Sequence, residues 1–147
     1  MSTDDLDPFL GEWTVSIRFP HAPADQPPPV ARSVFERILD GRYLTQRTEV
    51  PVPEAPDSYS VVAAHEDGTF TQHYYDARGV SRLYAMTFRD GVWTLLREAA
   101  DFSPLNFRQR FTGTFSADGN RIDGAWEMAM PGKDWKHDFE MHYTRIT

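Results

Sequence analysis

Any chemistry in this chain has to come from imidazoles, guanidinium groups, carboxylates and hydroxyls, because its 147 residues contain no cysteine. A thiol nucleophile, a disulfide framework and a thiolate metal site are thereby excluded. The histidines are His21, His65, His73, His137 and His142. No two stand at the i, i+2 spacing that would put a pair of ligands on one strand face, so no metal centre is expected within one segment. The chain also has no glycine-rich phosphate loop, no Gly-x-Ser-x-Gly elbow and no His-Glu-x-x-His pair. Two side chains stand out instead. His137 alternates with Trp135, Phe139, Met141 and Tyr143. An imidazole there is either a hydrogen-bonded core group or a ligand contact or acid–base group titrating near neutral pH. Arg97 follows Trp93 and Leu95 at the same alternation. A guanidinium on such a face needs an anionic partner or must reach water. With Tyr84 opposite, it is a candidate for holding a ligand carboxylate.

Strands must position these groups. Asp-Gly pairs recur at residues 40–41, 67–68, 90–91 and 118–119, with Pro131-Gly132 and Asp76-Ala77-Arg78-Gly79 as further turns. Asp-Gly favours the tight turns of hairpins because it tolerates positive φ. Segments rich in Val, Thr, Tyr, Phe and Trp lie between, and none shows a sustained helical period. The expected strands are near 11–19, 30–39, 42–50, 58–66, 69–76, 80–89, 92–98, 105–116, 121–130 and 135–146. About ten sequential antiparallel strands predict an all-β fold, a single up-and-down β-barrel in one domain. Residues 21–29 hold four prolines. They should form an irregular loop or lid outside the sheet.

Turns set register, and register sets faces. A two-residue turn at Asp118-Gly119 pairs Phe115 with Ile122, Phe111 with Trp126, Gln109 with Met128 and Phe107 with Met130. The turn at Asp90-Gly91 groups Phe88, Met86, Tyr84, Trp93, Leu95 and Arg97. The same count at Asp67-Gly68 groups Tyr59, Val61 and Ala63 with Phe70, Gln72 and Tyr74. At Asp40-Gly41 the inner set is Phe35, Leu39, Leu44 and Val50, with Ser33, Gln46 and Thr48. Inside the barrel this gives either a filled core whose polar groups satisfy one another or a greasy cavity dotted with polar groups, the usual make-up of a small-molecule site. The candidate ligand-binding residues are His137, Gln109, Tyr143, Arg97, Tyr84, Tyr74, Gln72, Gln46, Trp126 and Met128. No constellation specifies a reaction.

Composition limits the partners. A net charge of −7 argues against a nucleic-acid surface. No apolar run approaches the roughly 20 residues of a spanning helix, and the acidic start is unlike a signal peptide. The expectation is a cytoplasmic monomer or homodimer with no cofactor, whose partner is a small hydrophobic or amphipathic molecule.

Phe9-Leu10-Gly11-Glu12-Trp13 resembles the Gly-x-Trp opening of the calycins, the superfamily of lipocalins and fatty-acid-binding proteins. Tyr143-Thr144-Arg145 resembles the close of their last strand. The resemblance implies an up-and-down barrel with an internal cavity, its floor plugged by Trp13 with Arg145 packed over it. Asp40-Gly41-Arg42-Tyr43-Leu44 and Tyr74-Tyr75-Asp76-Ala77-Arg78-Gly79 look like bacterial lipocalin-like domains. The nitrobindin group, small haem-binding barrels, is similar too. Their Gly-x-Trp-x-Gly-x-Gly opening is met here by Val15 and Ile17 in place of the last two glycines, and their haem-ligating histidine lies near the chain end, as His137 does. The resemblance leaves three readings. One is a binding protein. Another is a cyclase- or isomerase-type enzyme using His137 with Tyr143 or Arg97 with Tyr84. The third is a haem protein.

Overall fold

The structure, a computed structural model, describes residues 3–146 apart from positions 24 and 54. Its strands are β1 Gly11–Arg18, β2 Val30–Ile38, β3 Tyr43–Glu49, β4 Ser58–Ala64, β5 Phe70–Asp76, β6 Ser81–Arg89, β7 Val92–Arg97, β8 Arg108–Phe115, β9 Arg121–Ala129 and β10 Lys136–Arg145. Each is hydrogen-bonded antiparallel to its sequence neighbours, and β1 pairs with β10 to close a ten-strand barrel. Alternation does the sorting. Val15, Ile17, Phe35, Leu44, Met86, Leu95 and Phe111 point inward and are buried. The outer wall carries ion pairs such as Arg32–Glu12 and Arg110–Glu127. No helix among the described residues is long and apolar enough to cross a membrane.

One end of the barrel is shut. A short 3-10 helix, Asp4–Phe9, precedes β1 and drops Leu6 and Phe9 into the floor, both fully buried. The Phe9 ring meets Phe35, Phe88, Trp93 and Phe115 at centroid distances of 4.9–5.3 Å, mostly edge to face. Edge-to-face contact suits the ring quadrupoles. Trp13 donates its indole N–H to the Phe9 carbonyl at 2.9 Å. The Arg145 guanidinium lies 4.1 Å from the Trp13 ring centroid and donates to the carbonyls of Leu10, Pro8 and Gly119. This is the cation–π lid expected from the two sequence ends.

Registers follow the turns at three hairpins. Phe111 faces Trp126, Gln109 faces Met128 and Arg110 faces Glu127; Phe88 faces Trp93; Arg32 faces Glu49. The β4–β5 hairpin differs. Ala64 pairs with Phe70 and Val62 with Gln72, so Ser60, Val62 and Ala64 face inward while Tyr59, Val61 and Ala63 turn out. The connection is one residue longer than a two-residue turn, His65 N–H donating to Thr69 O, with Gly68 at φ +85°. A left-handed glycine in a three-residue loop shifts the count by one, which swaps both faces of β4. Leu39 sits in the β2–β3 turn at φ +54° and is exposed, not internal. Met130 is likewise exposed past the end of β9.

The decisive departure is in β10. From Tyr143 to Phe139 the pairing with β9 runs regularly, then shifts between His137 and Phe139 so that His137 faces Glu127. Asp138 is the extra residue of a β-bulge. Two anchors demand it. Phe139 is held inward near Trp126 at 6.4 Å. Trp135 is held outward, with the guanidinium groups of Arg110 and Arg108 at 4.3 and 4.9 Å from its ring centroid. An even count between them cannot satisfy both, so one residue bulges out of register.

Candidate functional site

Above the floor the barrel encloses a cavity of about 350 Å³ that opens at the opposite end. Ile17, Leu95, Phe111, Trp126, Phe139 and Met141 form its apolar wall. Phe19, Ala55, Pro56, Arg78, Arg82, Phe107 and Asp138 ring the mouth. Ala55 and Pro56, between β3 and β4, thus line the opening. The described residues of 21–29 lie outside the sheet as expected, but His21 and Ala22 border a groove beside the mouth instead of the cavity.

Two polar clusters face the interior. On the β2–β3–β10 side, Gln46 Nε2 donates to Ser33 Oγ at 2.9 Å and to the Tyr143 hydroxyl at 3.3 Å, and Ser33 and Thr48 share a hydroxyl bond at 2.9 Å. Burial pushes the Tyr143 phenol up to about 12, with the Gln46 bond drawing it back, so Tyr143 stays protonated. On the β6–β8 side, Gln109 Oε1 accepts from the Tyr84 hydroxyl at 3.0 Å and from Arg82 Nη1 at 3.2 Å. Burial raises the Tyr84 phenol. At the mouth the Tyr74 hydroxyl donates to Asp76 Oδ2 at 2.8 Å, and Arg78 completes that carboxylate's shell at 2.7 Å. Gln72 lines the cavity between these groups.

Seven of the ten candidates therefore meet in one cavity: Gln46, Gln72, Tyr74, Tyr84, Gln109, Trp126 and Tyr143. Met128 is at the rim, in the adjoining groove. Two candidates are placed elsewhere. His137 is exposed on the outer face, because the bulge removes it from the inner alternation. Arg97 is buried at 3% exposure but does not line the cavity. Its Nε and Nη2 each donate to Asp101 at 2.9 Å, and Nη2 also reaches Ser103 O at 3.0 Å. Asp101 further accepts from the backbone N–H of Leu83 and Ser103. These donors hold its carboxyl well below the usual range, the guanidinium contributing most. Arg97 is a satisfied structural cation that fastens the β7–β8 connection to β6.

Sequence reasoning missed several cavity residues: Ser58 and Ser60, brought in by the reversal of β4, Ala55, Pro56 and Arg78 at the mouth, and the charged residues Arg82 and Asp138. Arg82 was within reach, since it continues the Met86, Tyr84 alternation by one more step. Asp138 was not, because strict alternation points it outward. Burial raises the Asp138 carboxyl, and the neighbouring His137 partly offsets this.

The haem reading does not fit these residues. No histidine lines the cavity among the described residues. Buried Val15 and cavity-facing Ile17 occupy the wall where the nitrobindin opening has glycines.

No family model matches the sequence, and no curated protein matches it. Among solved structures, the crystal structure of Rv2717c from M. tuberculosis is similar in fold, with a TM-score of 0.68 over 99% of this chain and 97% of that one. The identity between them is 15%, so the likeness is one of fold.

Proposed function

We propose that this protein binds an apolar or amphipathic small molecule inside the barrel, in the manner of a calycin. The observation that carries this reading is the cavity of about 350 Å³, closed below by the Phe9–Trp13–Arg145 plug and open above. That volume is within the range of small-ligand sites, and its mix of aromatic wall and few polar points is theirs too. The plug supports kinship with calycins because the sequence segments that suggested it meet in space. A binding role is favoured over an enzymatic one because the residue pairs that would have worked on a substrate are separated. His137 is outside the cavity, and Arg97 is engaged by Asp101.

A neutral fluorescent probe, N-phenylnaphthylamine, tests the reading directly. Its emission should rise on titration with the protein. Leu95→Trp, which fills the cavity from β7, should weaken that binding about tenfold or more, a difference of roughly 1.4 kcal/mol. Unchanged binding in the filled variant would place the probe elsewhere and sink the proposal. Native mass spectrometry of the purified protein should show a bound small molecule whose mass is unaltered after prolonged incubation.

A further inference from the structure

Two charged side chains at the cavity mouth are left without an ionic partner. Arg82 on β6 donates to Gln109, also acts on the Tyr84 hydroxyl, and its guanidinium lies 5.8 Å from the Phe107 ring centroid. Its Nε is buried with no acceptor. No carboxylate reaches it within ion-pair distance among the described residues. Asp138 on β10 makes neither a hydrogen bond nor an ion pair within 4 Å among the described residues; the neighbouring His137 acts on it only through its charge. The two do not pair with each other. Three strands separate β6 from β10 one way round the barrel and five the other, so the charges stand on facing walls of one opening. The third charged lining residue, Arg78, is already bound to Asp76.

Both groups are half-buried, and a partly desolvated charge facing an apolar space gains from a compensating partner. A purely apolar ligand would leave both groups uncompensated. A simple anion would suit Arg82 and be repelled by Asp138; a simple cation would do the reverse. We infer, building on the cavity-binding reading, that the natural ligand is an amphiphile with a zwitterionic head. Its acidic oxygen binds Arg82 beside Gln109 and Tyr84, and its ammonium binds Asp138. The apolar tail runs down the aromatic wall toward Trp93, whose buried indole N–H has no acceptor and could take one tail oxygen. Such a head is neutral overall, so the chain's net charge of −7 does not oppose its approach. The inference also gives the bulge a use: bulges re-aim side chains at sites, and this one turns a carboxylate into the mouth.

Three fluorescent probes that share a tail and differ only in the head provide the test. Nε-dansyl-lysine carries both charges, dansylcadaverine the amine alone and dansyl-aminohexanoate the carboxylate alone. The zwitterion should bind about tenfold or more tighter than either single-charge probe. Arg82→Gln should reduce it to the level of dansylcadaverine, and Asp138→Asn to that of dansyl-aminohexanoate. Arg82→Lys, which keeps charge without the planar fork, should fall between and serves if the glutamine variant does not fold. Equal binding of the zwitterion and the carboxylate probe, or indifference to Asp138→Asn, would overturn the zwitterionic head while leaving the cavity reading intact. If no dansyl probe binds, and N-phenylnaphthylamine does not either, both fall together.

Discussion

Arg97 and Arg82 are both arginines on the inner face of one sheet, and their environments give them opposite roles. Arg97 meets Asp101 in two parallel bonds and two backbone carbonyls, with both side chains 5% exposed or less. Removing one partner of such a pair leaves a buried charge unpaired, which costs about 3–5 kcal/mol. Arg97→Leu should therefore lower stability to denaturant by about that amount, and so should Asp101→Ala. Probe affinity should not change, since neither side chain lines the cavity. A loss of affinity without a loss of stability would return Arg97 to the ligand site. Inward alternation was enough to identify Arg97 as a cation needing a partner. It could not name Asp101, which lies in an irregular connection whose path no periodicity describes.

At the scale of elements, packing of the sheet depends on where side chains are absent. Gly113 and Gly124 face each other on β8 and β9, and the Phe111 ring folds across both. A Cβ on Gly124 would stand 2.4 Å from Phe111 Cζ and 3.2 Å from the Met141 carbonyl. Gly124→Ala should destabilise the barrel by about 1–3 kcal/mol through overpacking. Phe111→Leu in the same chain should recover part of the loss, and a double-mutant cycle by chemical denaturation would measure the coupling. Additive losses would mean that the ring does not occupy that space. The β4–β5 and β9–β10 hairpins show how local sequence loses track of faces. One extra loop residue ahead of Gly68 reverses β4, and one extra strand residue at Asp138 reverses the mouth end of β10.

At the scale of the whole molecule, charge pairs make stability depend on pH from both sides. Asp101, Asp123 and Glu127 have carboxyls held below their ordinary values, chiefly by hydrogen bonds from Arg97, His142 and Arg110 respectively. A depressed carboxyl contributes stability above its unfolded pKa and loses it as pH falls through the folded value. His142 is the opposite case. Its Nδ1 and Nε2 bond Asp123 and Glu140, each at 2.8 Å, so the doubly protonated ring is favoured. These bonds raise it above 6.5 against the pull of burial. Its contribution is complete below 6.5 and lost as pH rises through the raised value. Melting temperature should thus peak in the mildly acidic range, falling at lower pH as carboxylates protonate and at higher pH as His142 loses its proton. His142→Asn should flatten the alkaline limb and reduce the acid limb only by the share of Asp123, leaving the part that Asp101 and Glu127 contribute. An unaltered alkaline limb would locate that transition in another group.

The sequence alone was sufficient for the ten strands, their sequential pairing and three of the hairpin registers, because these follow from turn residues and period-two alternation acting over a few neighbours; the Trp13–Arg145 contact was expected from the resemblance to the calycins, not from local pattern. It also placed Tyr84, Gln109, Trp126 and Tyr143 on the wall of one cavity, since antiparallel closure brings inward faces together. The tertiary structure decided the rest of the site. Whether Arg97 was free or satisfied depended on a loop carboxylate. Whether His137 or Asp138 entered the mouth depended on two distant anchors, Trp135 outside on arginines and Phe139 inside near Trp126, which one strand can satisfy together only by bulging. Alternation is a local rule. A bulge is a compromise between contacts on opposite sides of the wall, and those contacts exist only once the barrel has closed.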